Sequence, residues 1–250
     1  MKIAICFSGG FNRFDSVNFA KQMSAYQGYT HCDLFFSHNK KTASKEIILS
    51  QVEPILSQVM KGSYSIADIE LTDDFEWSSK YGREKCWSPG NNPEAFFKMF
   101  YGVRSADLLR QKYELENNFK YDAVVRSRVD ISLLGTTDLP RWISRFKNDA
   151  MVLFSKNWHW FSLWDEKGGM LCDQWFAADS DVMSKVTTLV DYIDQYTDEG
   201  CRFHPESLLW WHIRKGLECP PHLQCRIDPF LNPFYGFEKL DVILRGADGW

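Results

Sequence analysis

Short apolar runs alternate along this chain with segments whose apolar residues recur every three or four positions. Residues 3–7 form a continuous apolar run rich in β-branched side chains, the pattern of a parallel strand buried on both faces. Residues 16–26 carry Val17, Ala20 and Met23 at helical spacing, so the chain opens as strand, loop, helix. Residues 32–37 predict a second strand. Residues 45–59 predict a second helix through Ile47, Ile48, Val52, Ile55, Leu56 and Val59, with a kink or break at Pro54. A third strand follows at 64–71, and 72–92 reads as a long loop. Pro93–Asn117 is the longest helical pattern, with proline in its first turn. It leads into 121–131, an apolar strand that ends in charge. Further strands are expected at 150–154, 170–178 and 223–227, and further helices at 181–196 and 206–215. Alternation of this kind predicts an α/β fold. The expectation is one domain over 1–250, with a mixed, mostly parallel central sheet flanked by helices.

Composition narrows the classes. Of 250 residues, 44% are hydrophobic and 25% charged, which suits a soluble globular chain. The net charge of −4 argues against a nucleic-acid surface. Seven cysteines stand at 6, 32, 86, 172, 201, 219 and 225, an odd number without a CxxC pair. Reduced, buried thiols and a cytoplasmic location are the expectation. The apolar run at the amino end is too short for a signal peptide. No stretch of 18 apolar residues exists, so no transmembrane helix is expected. Aromatic residues reach 16%, with ten tryptophans. They read either as a heavy core or as platforms for sugar rings.

Candidate chemistry gathers at strand ends. Ser8, Gly9 and Gly10 follow the first strand, and Arg13 lies just beyond. Small residues there let backbone N–H groups approach a ligand, and a guanidinium could reach phosphate; a plain tight turn is the other reading. Arg126, Arg128 and Asp130 are spaced two apart, so in an extended strand they share one face. Two guanidiniums match a diphosphate, and a carboxylate beside them can hold Mg²⁺ or Mn²⁺. An arginine–aspartate ion-pair network on a sheet edge is the alternative. Asp173 beside Gln174 falls inside a predicted strand, where a carboxylate is costly unless paired or functional. Glu206 opens a helix, where dipole electrostatics alone favour it. Trp158, Trp160 and Trp164 surround His159 as an acceptor-sugar surface or a lid. His38 ends the second strand and reads as a hydrogen-bonded structural residue. There is no GxGxxG and no acidic residue ending that strand, which argues against a dinucleotide or S-adenosylmethionine enzyme.

The SGG after the first strand, the helix before YDAVVRSRVD, then CDQWFAADSDVM and HPESLLWW, together resemble GT-A-type glycosyltransferases, among them the WavE-like polysaccharide and lipopolysaccharide synthesis proteins. The resemblance spans about residues 1–230. It implies a GT-A-like (Rossmann-like) domain, with a nucleotide-binding part at roughly 1–135 and an acceptor-side part at roughly 136–250. It implies a nucleoside-diphosphate sugar donor, such as a UDP-sugar, at the first strand ends, and a saccharide acceptor. Asp130 would be the contact to Mn²⁺ or Mg²⁺, and Arg126 and Arg128 would meet the diphosphate or donor sugar. The Asp173–Gln174 pair would lie near the acceptor. The sequence departs from the family pattern in two places. The usual SGQxR is not reproduced, and Arg128 stands where a DxD motif would have its first carboxylate, so an arginine-based, metal-free diphosphate clamp is the alternative to a metal site.

These observations predict a glycosyltransferase acting in glycan or polysaccharide synthesis. An inverting enzyme needs a base for the acceptor hydroxyl, whereas a retaining one in its simple form does not, and both stay open. Asp173 is the first choice and Glu206 the second. A non-catalytic nucleotide- or carbohydrate-binding protein of the same fold is the alternative.

Overall fold

The computed structural model describes residues 1–27, 29, 31–73, 81–82, 86, 92–134, 152–154, 171, 173–213 and 241–244. Strands β1 (Lys2–Ser8), β2 (His31–Asn39), β3 (Tyr64–Thr72) and β4 (Ala123–Ser127) are parallel neighbours in the order β3-β2-β1-β4. Strands β6 (Val152–Phe154) and β7 (Phe176–Ala178) extend the sheet, with β7 antiparallel to β4 and β6 antiparallel to β7. Strand β5 (Ile131–Leu134) leaves this sheet and pairs antiparallel with β8 (Asp241–Leu244). The α/β class and the mixed, mostly parallel sheet expected from the sequence are present.

Helices cover both faces. Helices α1 (Ser16–Ser24) and α2 (Lys45–Met60) bury Phe19, Met23, Ile48, Val52, Leu56 and Met60 against Ile3, Ile5, Phe7, Leu34 and Phe36. On the other face lie α3 (Pro93–Asn117), α4 (Ser180–Val186), α5 (Ile193–Asp198) and α6 (Pro205–Trp211). There Phe96, Phe100, Val103, Met183 and Leu208 pack with Ala4, Cys6, Phe35 and Val124. Successive residues of one strand thus feed opposite cores, which is why the strands read as unbroken apolar runs. Full burial of such side chains contributes about 1.5–3 kcal/mol each.

Three local expectations fail for identifiable reasons. Pro54 does not break α2, which runs continuously through it. Both Pro54 and Ser50, whose carbonyl loses its donor, are exposed, so water can take that carbonyl. The helix expected at 181–196 is three pieces: α4, a 3-10 segment at Thr187–Tyr192, and α5. Side chains claim its carbonyls: Arg104 donates to Ser184 O at 3.3 Å, and Thr188 donates to Lys185 O at 2.7 Å. The strand expected at 170–178 is confined to β7, with Asp173 and Gln174 in a bend before it. The strand expected at 223–227 lies outside the described residues.

Candidate functional site

β1 has β2 on one side and β4 on the other, so the chain order reverses at β1. The carboxyl ends of the strands flanking such a reversal form the crevice where open α/β sheets bind ligands. Ser8 to Arg13 leave β1 at this point, and Arg126 to Asp130 leave β4 there. In the register, Cys6 faces Arg126 and Ser8 faces Ser37.

The β1 side is a tight turn. Gly9 has φ +119°, a conformation that side-chain-bearing residues rarely adopt. At Gly10 a Cβ would stand 2.5 Å from Asn12 Oδ1. Phe11–Arg13 form one 3-10 turn, closed by Arg13 N–H donating to Gly10 O at 3.1 Å, and Arg13 is exposed. His38 Nδ1–H donates to Gly9 O at 2.5 Å, while its ring meets Phe11 edge-on. Burial pulls the His38 pKa down to about 4, so the ring is neutral. Ser8 Oγ, Ser37 Oγ and His38 Nε2 are buried and have no hydrogen-bond partner among the described residues. Each such atom costs about 1–3 kcal/mol unless something satisfies it. Three of them at adjacent strand ends mark a place built for polar company.

The β4 side corrects the expected shared face. The strand stops at Ser127, and residues 128–130 turn away before β5 begins. Arg126 is buried, and its guanidinium donates to Gln174 O and sits 6.0 Å from the Phe176 ring. Arg128 grips Asp130 instead of lining up beside it: Nε donates to Oδ1 at 2.8 Å and Nη2 to Oδ2 at 2.5 Å. Helix α1 supports this turn from below. Gln22 donates to Ser127 Oγ, and Asn18 Nδ2 donates to Asp130 O at 3.4 Å.

Asp173 joins from the segment before β7. The residue is buried, and burial pushes its carboxyl pKa up while Arg126 and Arg128 pull it back. The structure therefore places Arg126, Arg128, Asp130 and Asp173 in one cluster at the crevice. Glu206 is buried at the start of α6, 3.7 Å from His204 Nδ1. Its backbone carbonyl accepts from Leu171 N–H at 3.2 Å, which ties the approach to Asp173 onto α6. Trp158 and Trp160 lie outside the described residues.

The expected Mn²⁺ or Mg²⁺ meets a geometric obstacle at Asp130. Both carboxylate oxygens are engaged by a guanidinium, and a cation there would face that positive charge. Among the described residues there is no group of three His, Cys, Asp or Glu side chains placed to hold a metal. Sequence reasoning did not single out Asn18 and Gln22. Two amides four residues apart on a helix that also presents Phe19 and Met23 to the core were the available signal.

No protein-family profile and no curated protein sequence matches the chain. Among solved structures it is similar to mouse xyloside xylosyltransferase 1 in its apo form, with TM-score 0.45 and 11% identity over 84% of this chain and 80% of that one. It is also similar to galactosyltransferase LgtC with donor and acceptor sugar analogs, with TM-score 0.40 and 11% identity over 84% of this chain and 69% of that one. An active-site mutant of LgtC gives TM-score 0.42 and 9% identity over the same shares. Likeness at this level describes neighbours in shape and carries no weight for activity.

Proposed function

We propose that this chain is a nucleotide-sugar-dependent glycosyltransferase that moves a sugar from a nucleoside-diphosphate donor to a saccharide acceptor. One observation carries the proposal: Arg126, Arg128 and the raised Asp173 carboxyl meet at the crevice beside β1. Fixed guanidiniums bind the diphosphate of a donor and stabilise the charge that develops as it leaves. A buried carboxyl with a raised pKa is a stronger base than a free one, which suits it to proton abstraction.

In the reaction, Asp173 takes the proton of the acceptor hydroxyl. The acceptor oxygen forms a bond to the anomeric carbon, and the bond from that carbon to the diphosphate oxygen breaks. The electron pair leaves with the nucleoside diphosphate, held by Arg126 and Arg128. Ser8, Gly9, Gly10 and Arg13 serve the nucleotide side of the donor. Glu206 is the second candidate base. Trp158 and Trp160 are proposed to stack on the acceptor.

The test is release of nucleoside diphosphate from a panel of UDP-, GDP- and dTDP-sugars with mono- and disaccharide acceptors. Release from one donor, increased by one acceptor, is the expected result. Binding of a nucleotide without release from any donor would favour the non-catalytic alternative.

A further inference from the structure

Arg128 and Asp130 form a two-bond fork, the geometry in which guanidinium and carboxylate fit best. The fork is asymmetric in its access. The Arg128 side chain is 20% exposed and that of Asp130 is 7% exposed, so the arginine is the more accessible partner and the carboxylate backs it. The backing is itself fixed, because Asn18 and Gln22 of α1 hold the turn at Asp130 O and Ser127 Oγ. A divalent ion seated on Asp130 would have to strip the guanidinium from both oxygens and then sit beside it. Arg126 adds a second fixed positive charge two residues earlier on β4, and Asp173, the other carboxylate of the cluster, is already set against both arginines.

We propose that Asp130 is a positioning residue that aims Arg128, and that Arg126 and Arg128 bring to the donor diphosphate the charge a divalent cation would otherwise supply. Donor binding is then independent of metal. The inference rests on the crevice being a nucleoside-diphosphate site, and its test separates the two.

The test is calorimetry on the full chain with UDP, GDP and dTDP, first in EDTA and then in Mn²⁺, with Mn²⁺ alone as a further titrant. The expected result is that one nucleotide binds in EDTA, that Mn²⁺ changes its Kd by less than about twofold, and that Mn²⁺ alone gives no binding heat. Arg128→Lys, which keeps the charge but loses the fork, is expected to weaken binding at least about tenfold. Asp130→Asn is expected to weaken it about three- to tenfold, by the same factor in EDTA and in Mn²⁺. Binding that appears only with Mn²⁺, or tightens tenfold with it and loses just that gain in Asp130→Asn, overturns the inference and leaves the nucleotide site standing. If no nucleotide binds the folded wild-type protein in either buffer, both fall. The EDTA comparison uses wild-type protein, so it decides even if a variant fails to fold.

Discussion

Two arginine–carboxylate clusters among the described residues are bonded in different ways. In the first, Arg110 on α3 holds Asp107 and Glu114 at 2.6 and 2.7 Å, with all three side chains at most 2% exposed. Ser180 and Ser184 of α4 accept from the same guanidinium, Gln111 and Thr187 donate to Asp107, and Tyr121 N–H donates to Glu114. Its charges are bonded inward, and their work is to fix α3 against α4. The second cluster sits at the end of β4. There Arg128 reaches solvent, and Asp173 is buried against two arginines with its pKa raised. Similar side chains serve as a clamp in one place and a candidate site in the other. The difference is whether the cluster lies between helices or at the reversal of the strand order.

The largest effect that would break this comparison is on turnover. Asp173→Asn is expected to lower nucleoside diphosphate release by about 10²- to 10⁴-fold, as for loss of a general base. Because burial disfavours its charge, the same change is expected to leave the melting temperature unchanged or slightly raised. Retained turnover would move the base elsewhere, with Glu206 the next to test.

Arg110→Met probes the other cluster. It strands two buried carboxylates and is expected to cost about 3–5 kcal/mol in urea denaturation. Replacing Asp107, Arg110 and Glu114 together by apolar residues is expected to recover only part of that loss, because Tyr121 N–H and Thr187 lose their carboxylate partners. Nucleotide binding per folded molecule should not move in either variant. A folded Arg110→Met protein that cannot bind nucleotide would mean the two clusters are one.

Acid separates the regions next. Burial lowers the pKa of His38 in the site and His212 on the far face from 6.5 to about 4. The folded value is depressed, so this stability is present above pH 6.5 and lost as pH falls toward 4. The gap is worth roughly 3 kcal/mol per histidine. Chemical denaturation from pH 7 to pH 4 should show this slope, and His212→Gln should flatten part of it. An unchanged slope would mean that the His212 ring is not held neutral.

The smallest effect is at the rim of the first cluster. Lys120 is 61% exposed and lies 3.1 Å from Asp181 and 3.5 Å from Glu114. Lys120→Ala is expected to cost about 0.2–1 kcal/mol, a loss that added salt should mask. A larger loss would show that the network depends on this exposed cation.

Elements whose periodicity is local were legible in the sequence. Pro93–Asn117 was bounded correctly because Asn92 caps it, accepting from Glu94 N–H at 3.1 Å, and because Asn118 takes the left-handed conformation that ends it. The expected β1 to β3 were right in kind and close in extent, since buried parallel strands read as apolar runs. The turn at 128–130 was not legible. An extended chain and a turn both suit Arg-x-Arg-x-Asp, and the choice is made by α1 residues more than a hundred positions away. The site was half legible: its charged residues stood out, but their pairing did not.

The α/β alternation, the two-sided burial of the strands and the charges at the end of β4 are written in the sequence. These follow from hydrophobic period and side-chain chemistry, which act within a few residues. Three contacts come from the folding of distant parts onto one another: Arg128 turned onto Asp130, Asp173 set against both arginines, and His38 fastening Gly9. The last two contacts join residues distant in the chain, and the first is held in place by Asn18 and Gln22 of α1, more than a hundred positions away. They depend on strand order and on which helix lies beneath a turn, and no local pattern specifies either.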